Sequence, residues 1–129
     1  MTVLASRSFV RAVVCLAIIA TADDTAAQAS SSDTSAKHVY AACKAFEQNQ
    51  PISDPQVYNL EGFCSGVVHG LAGISSSLAV ELQSCVPPAS TPAELALVVV
   101  KFLDEHPERM NEDFRLLVLE AFHNAWPCS

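Results

Sequence analysis

The stretch TPAELALVVVKFLDEHP, residues 91–107, decides the fold class of this chain. It opens with a capping box, because the Thr91 hydroxyl can accept the Glu94 amide while the Glu94 carboxylate accepts the Thr91 amide. Pro92 stands at the first helical position, where no backbone donor is needed. A run of valines alone would favour a strand, but the capping box and the length of the pattern predict a helix over about 92–105. Since this helix is apolar over most of its circumference, we expect it to be well buried.

Two further helices are predicted before this stretch. The first covers Lys37 to Glu47, and its apolar face carries Val39, Tyr40, Cys43 and Phe46. The second begins at Ser53-Asp54-Pro55, which offers a capping side chain followed by a proline where no donor is needed. Its apolar stripe consists of Leu60, Cys64, Val67, Leu71, Ile74, Leu78 and Leu82. This stripe predicts the longest helix of the chain, which ends in the region of Val86–Ser90.

Three glycines lie alongside the stripe of the second helix, at positions 66, 70 and 73. A glycine inside a helix costs up to about 1 kcal/mol relative to alanine, so their presence needs an explanation. We expect Gly66, Gly70 and Gly73 to allow the close approach of a neighbouring helix. A bend between Gly70 and Gly73 is the alternative.

The fourth helix is predicted after the turn at His106-Pro107, over about 108–125. Its apolar residues are Phe114, Leu117, Val118, Ala121, Phe122 and Ala125, and Pro127 ends it. No segment of the chain has the alternation that is typical of a strand. The sequence therefore predicts an all-α fold, a small domain of four helices.

The first 29 residues have the parts of a secretory signal peptide. Arg7 and Arg11 supply the positive start, and the apolar core at 12–20 is too short to span a bilayer. The small residues that follow predict cleavage after Ala29, with Ala22 as the second candidate. The alternative is that the segment is retained as a membrane anchor.

The mature chain is expected to have a flexible tail at 30–36 and one domain at 37–129. The signal peptide carries two arginines and two aspartates, so its removal leaves the net charge at −7. An acidic domain binds nucleic acid and anionic lipid poorly, and it suits a basic protein partner. We therefore expect no nucleic acid and no membrane contact for the mature form. The alternative reading of the charge is that it only confers solubility.

Four cysteines remain after the signal peptide, and they predict two disulfides in an oxidising compartment. They are Cys43, Cys64, Cys85 and Cys128. Four cysteines allow three connectivities, but antiparallel first and second helices would bring Cys43 level with Cys64. Cys85 and Cys128 would then meet at the opposite end. A Cys64–Cys85 pair would require a sharp break in the second helix.

No catalytic or metal-binding motif is present in the sequence. The cysteine and histidine spacings do not fit a zinc site, and an even cysteine count leaves no thiol nucleophile. The acidic residues of the last turn are a solvated face or a negatively charged docking patch, and they comprise Asp104, Glu105, Glu108, Glu112 and Asp113. We expect no catalytic residue, no metal and no cofactor.

The order and spacing of five segments resemble the Rap/Tai immunity protein family. The segments are FCSGVVHG at 63–70, CVP at 85–87, TPAE at 91–94, VVKFLDEHPE at 99–108 and LLVLEAFHNAWPC at 116–128. The resemblance covers nearly all of the chain from about residue 40. Most of the matching positions are cysteine, glycine, proline or apolar, which are scaffold residues.

The resemblance implies a periplasmic, disulfide-bonded helical protein of Gram-negative bacteria, often a homodimer. Such proteins bind peptidoglycan amidases that type VI secretion systems deliver, and they inhibit by occluding the active site, so no catalytic residues carry over. The expected contact surfaces are Ser75, Ser76 and Ser77, which are polar in an apolar helix, and the acidic turn. The alternative function is that of a stand-alone periplasmic helical protein, structural or chaperone-like, with no cognate toxin. The broadly apolar third helix would permit that role.

Overall fold

The computed structural model describes residues 33–129. Its four α-helices are α1 (Ala36–Glu47), α2 (Pro55–Ile74), α3 (Pro92–Glu105) and α4 (Phe114–Ala125). Short 3-10 turns follow α2 at Ser75–Ser77 and α3 at Pro107–Arg109. Within this range there is no strand beyond an isolated bridge between Ser35 and Asp113, so the predicted all-α fold is confirmed. The predicted signal peptide lies outside the described residues.

The helix α3 forms the centre of the core. Its predicted capping box is present, since the Glu94 amide donates to the Thr91 hydroxyl (3.3 Å) and the Thr91 amide donates to the Glu94 carboxylate (2.7 Å). The helix contacts each of the other three helices. Its buried residues are Leu95, Ala96, Val99, Val100, Phe102 and Leu103. The expected burial of this apolar helix is therefore observed.

The helix α2 ends eight residues earlier than its apolar stripe predicts, at Ile74 rather than at Leu82. The Ser75 hydroxyl lies 2.9 Å from the carbonyl oxygen of Ala72 and 3.0 Å from that of Ser84. A hydroxyl that bonds to backbone competes with helix continuation, and Leu78 is already extended. The placement of Leu78 and Leu82 on this helix was wrong, because a serine-rich turn ends the helix before them.

The glycines of α2 do not allow a neighbouring helix to approach. A Cβ atom built on Gly66, Gly70 or Gly73 would meet no other heavy atom within 4 Å, and the same holds for Gly62. All four residues lie on the exposed side of the helix. The expectation of close helix packing was wrong, since the apolar stripe and the glycine positions point to different faces. The break comes at Ser75, just beyond the bend considered at Gly70 to Gly73.

The helix α4 begins at Phe114, later than the predicted start near residue 108. The Asp113 side chain caps it by accepting the Arg115 amide (2.9 Å). Residues 107–109 form a separate 3-10 turn instead. The proline at 107 thus opens only a single turn, and the capping aspartate six residues on starts the helix.

Residues 33–36 belong to the segment expected to be a flexible tail, and here they contact the start of α4. The Thr34 carbonyl oxygen accepts the Phe114 amide (2.9 Å), and the Thr34 hydroxyl donates to Asp113 (3.0 Å). The Ala36 amide donates to the Glu112 carbonyl oxygen (2.9 Å). These hydrogen bonds join the start of α1 to the loop that precedes α4.

Two disulfides connect the cysteines in the predicted pairs. Cys43 on α1 pairs with Cys64 on α2 at a Cα separation of 5.5 Å, and Cys85 pairs with Cys128 at 5.1 Å. The break after α2 does not bring Cys64 to Cys85. In the described part of the chain, no helix is long and apolar enough to cross a bilayer.

Candidate partner-binding site

The three serines expected to contact a partner have two different roles. Ser75 is buried, and its hydroxyl is engaged by the backbone of Ala72 and Ser84. Ser76 and Ser77 are exposed. Ser75 therefore positions the segment that follows, and only the two later serines are available to a partner.

Ser75 and Ser84 close a loop, residues 76–83, that leaves the helical body. The Ser84 amide donates to the Ser75 carbonyl oxygen (3.3 Å), and the Gln83 side chain donates to the Ser76 carbonyl oxygen (2.7 Å). From α4, the His123 ring donates through Nδ1 to the Gln83 carbonyl oxygen (2.6 Å). The loop is thus fixed at both ends while its middle faces solvent.

Val80 at the middle of the 76–83 loop was missed by the sequence analysis. Its exposure is 77%, the highest of the exposed large apolar residues. The periodicity argument placed this region inside a helix, so Val80 was not considered as a surface residue. The serine run at 75–77 was the signal for the loop, because serines favour turns over helix interiors.

The acidic turn is partly neutralised by its own neighbours. The Tyr40 hydroxyl donates to the Asp104 carboxylate, and the Lys44 ammonium lies 4.0 Å from the same group. The Tyr40 hydroxyl and the Asp104 charge raise the pKa of Lys44. Asp104 therefore joins α3 to α1, and we do not place it in the binding surface.

Arg109 forms the centre of a second ion-pair group in this turn. Its guanidinium donates to both oxygens of Glu112 and to both oxygens of Glu120 on α4. Hydrogen bonds to the two carboxylates raise the pKa of Arg109, and the same bonds lower the pKa of Glu112 and of Glu120. The guanidinium also lies 5.9 Å from the centre of the Phe102 ring. Glu112 thus helps to fix the turn against α4.

Asp113 is the most heavily engaged acid of the turn. Arg115 donates to it through the backbone amide and through its guanidinium, and Thr34 adds a third donor. These hydrogen bonds, led by that from the Arg115 side chain, hold the pKa of Asp113 well below its usual range. Asp113 therefore has a structural role, and we do not place it in the binding surface.

Glu105 and Glu108 are the two acids of the turn that remain available. Both are exposed, and within residues 33–129 neither takes part in a salt bridge or a side-chain hydrogen bond. Glu105 also lies at the edge of a shallow groove of about 270 Å³ between α3 and α4. The apolar side of that groove is formed by Val98, Phe102, Ala121 and Ala125. Lys101 and Asn124 complete the lining of the groove, and Glu108 lies outside it. The exposed carboxylates of Glu105 and Glu108 favour contact with a basic segment of a partner.

The predicted candidates therefore form two surfaces that we define by their available residues. The loop surface is the 76–83 loop with Val80 at its middle, and the acidic surface is Glu105 with Glu108. In the described part of the chain, no group of His, Cys, Asp and Glu residues could hold a metal ion. The arrangement can bind another protein through apolar contact and through negative charge.

Comparison with known families agrees with this architecture. Residues 35–128 match the family model of the Rap1a immunity proteins. No curated protein and no solved structure matches the chain significantly. The matched range includes all four helices and both disulfides. Because the match extends over more than half of the sequence, this chain belongs to the Rap1a immunity protein family.

Proposed function

We propose that this protein is a periplasmic immunity protein that binds a peptidoglycan amidase effector and blocks its active site. Membership of the immunity family is the observation that carries the proposal. An immunity protein acts by binding a protein toxin, so the function requires a docking surface and no catalytic residue. The amidase target and its delivery by type VI secretion rest on the resemblance of the five sequence segments.

The loop surface supports inhibition by occlusion. The 76–83 loop is held by the hydrogen bonds between Ser75 and Ser84 and by the ring of His123. A loop fixed in this way loses little conformational entropy when it enters a cleft, so more of the contact energy contributes to affinity. Val80 supplies an apolar residue that a cleft can bury.

The acidic surface supports a basic target. The chain carries a net charge of −7, and Glu105 and Glu108 are exposed without a partner among residues 33–129. Complementary charge increases the rate of association and selects against acidic proteins. We therefore infer that the effector presents lysines or arginines around its active-site cleft.

The periplasmic location is supported by two disulfides and by the predicted signal peptide. Disulfides form and persist in oxidising compartments such as the periplasm. Peptidoglycan amidases act in the same compartment, so inhibitor and target would meet there.

A chaperone-like role has no specific support in the fold. The apolar helix that suggested it is α3, and six of its residues are buried in the core. A chaperone would have to unfold this core to expose that surface. A homodimer, which the resemblance implies, remains a prediction that light scattering on the purified protein would test.

The proposal is tested by capture and inhibition. The mature protein is immobilised and exposed to periplasmic extract, and bound proteins are identified by mass spectrometry. We expect an amidase to be retained, and the purified amidase to lose its hydrolysis of peptidoglycan when the protein is added in equimolar amount. Capture of an amidase whose hydrolysis continues unchanged would contradict inhibition. A gene for an amidase beside that of this protein would identify the enzyme to test first.

A further inference from the structure

We propose that the Cys85–Cys128 disulfide is a redox-sensitive latch. A dithiol reductant opens this disulfide selectively and releases the 76–83 loop, while the Cys43–Cys64 disulfide keeps the helical core intact. The inference concerns the conformation of the loop and is independent of the identity of the effector.

The two disulfides differ in their access to solvent. Cys43 and Cys64 are both 0% exposed and belong to the main core cluster. Cys85 is exposed and Cys128 is half-buried. Thiol–disulfide exchange requires a thiolate to reach one of the two sulfur atoms. A reductant can therefore reach Cys85–Cys128 in the folded protein, whereas it reaches Cys43–Cys64 only when the core opens.

The latch joins the end of the 76–83 loop to the C-terminal segment, and the half-buried Val86 and Trp126 beside it pack against the core. The Cys85 amide donates to the Trp126 carbonyl oxygen (2.8 Å), so the disulfide and this hydrogen bond together hold the end of the loop to the C-terminal segment. All buried apolar residues lie at 36–68 and 95–122. Neither cysteine of the latch is among these residues, so this disulfide does not directly join parts of the fully buried core.

A buried polar group at the end of the loop favours its opening. Ser84 is next to Cys85, and its buried hydroxyl has no hydrogen-bond partner among residues 33–129. A buried hydroxyl without a partner destabilises the closed arrangement, because water would satisfy it in the open one. The loop is also held by the hydrogen bond between His123 and Gln83 and by those between Ser75 and Ser84, which open when the loop is released.

A dithiol reductant supplies both thiols that the exchange requires. One thiolate attacks a sulfur of the Cys85–Cys128 bond, forms a mixed disulfide and expels the other cysteine as a thiolate. The second thiol of the reductant then attacks the reductant's sulfur in the mixed disulfide. This closes a disulfide within the reductant and releases the second cysteine as a thiolate. Two electrons pass from the dithiol to the protein, which gains two thiols while the reductant becomes a disulfide.

Selective reduction is measured with dithiothreitol on the natively folded, oxidised protein. Samples are quenched with an alkylating agent at successive times and analysed by peptide mass spectrometry. We expect Cys85 and Cys128 to become alkylated at least about a hundredfold faster than Cys43 and Cys64, because the buried pair waits for core opening. Equal rates for the two pairs, or faster alkylation of Cys43 and Cys64, would overturn the proposal.

The release of the loop is measured by hydrogen exchange on the selectively reduced protein. The amides of Ser84 and Cys85 should exchange faster than in the oxidised protein, while the far-UV circular dichroism stays unchanged. Unchanged exchange at these two amides would contradict the latch. A loss of helical signal would contradict it as well, since the core would then depend on this disulfide.

A double substitution provides an independent check without reductant. The Cys85→Ala/Cys128→Ala variant should reproduce the exchange pattern of the selectively reduced protein. The matched control is Cys43→Ala/Cys64→Ala, which should leave the amides of Ser84 and Cys85 protected if it folds. If the control does not fold, the comparison of the first variant with the dithiothreitol-treated protein still decides the proposal.

Discussion

At the scale of single residues, Asp113 joins the start of α4 to the segment that precedes α1. It caps α4, pairs with Arg115 and accepts the hydroxyl of Thr34. An acidic residue at the start of a helix also interacts favourably with the helix dipole. Asp113 is thus a structural residue, although an acidic residue beside a turn also fits the pattern of a docking patch.

We expect the Asp113→Ala variant to be less stable than the wild type by about 1–2 kcal/mol at pH 7, since it loses a helix cap. The pKa of Asp113 is lowered from 3.8 by its hydrogen bonds, so the stabilisation is present above that value and is lost as the pH falls through the lower folded pKa. The difference between the two proteins should therefore shrink at about pH 2.5. Urea unfolding at the two pH values measures it.

The Asp54→Ala variant is the matched control for Asp113. Asp54 caps α2 by accepting the Gln56 amide (2.8 Å), and it forms no salt bridge among residues 33–129. This variant should lose less stability at pH 7 than Asp113→Ala. An equal loss in both would show that the Arg115 and Thr34 contacts contribute nothing.

The glycines of α2 give a second prediction at this scale. Gly66 and Gly70 are exposed, helical and free of neighbours at the Cβ position. Replacement of either by alanine should stabilise the fold by about 0.5–1 kcal/mol, because alanine restricts the unfolded chain and favours the helix. Thermal unfolding of Gly66→Ala and Gly70→Ala measures the effect. A lower midpoint in either variant would show that the added methyl group does not fit at that position.

At the scale of elements, the sequence predicts most helix boundaries, and it misses the end of α2 and the start of α4. The capping box at Thr91 and the Asp54-Pro55 start are local patterns, so both are observed where they were predicted. The end of α2 is set by a contact between Ser75 and Ser84, nine residues apart. Apolar periodicity continues through that break because Leu78 and Leu82 are half-buried in the loop, so the stripe could not reveal it.

The 76–83 loop gives the prediction that belongs to this scale. If the loop enters the cleft of the effector, a charge at its exposed apolar residue should weaken binding. We expect Val80→Glu to raise the dissociation constant at least about tenfold, which is the size of an effect from a buried contact residue. The measurement is calorimetric titration with the captured amidase.

The matched control for Val80 is Leu116→Glu. Leu116 is also an exposed aliphatic residue (53%), and it lies on α4 rather than on the loop. Its variant should bind the amidase with unchanged affinity. If both variants lose affinity equally, the loop has no special role in binding. Circular dichroism of Val80→Glu checks that its loss of affinity does not come from misfolding.

At the scale of the whole molecule, the sequence specified the class of fold and left the surfaces undecided. The four helices follow from capping patterns and periodicity, and the Cys43–Cys64 pair follows from the level of the two cysteines along antiparallel helices. The Cys85–Cys128 pair joins two segments outside the helices and follows as the remaining pair. The binding surface depends on which acids are already paired in three dimensions. Glu112 and Glu108 are equivalent in the sequence, yet only the first of them is held by Arg109.

The last prediction concerns the rate of association with the effector, and it follows from the net charge of the chain. Charge steering acts over roughly one Debye length, about 30 Å at 0.01 M salt and about 3 Å at 1 M. If the acidic surface attracts a basic cleft, the association rate constant should fall at least about tenfold between these salt concentrations. Stopped-flow mixing with the purified amidase at both salt concentrations measures the rate constant.

The Glu105→Gln/Glu108→Gln variant tests which acids cause this salt dependence. It should associate more slowly than the wild type at low salt and equally fast at high salt, where the charges of both proteins are screened. The control Glu47→Gln/Glu61→Gln removes the same charge from α1 and α2, so it isolates the effect of position from that of net charge. Equal slowing in both variants would assign the steering to the overall charge. A rate that does not depend on salt in any of them would leave the apolar loop as the basis of recognition.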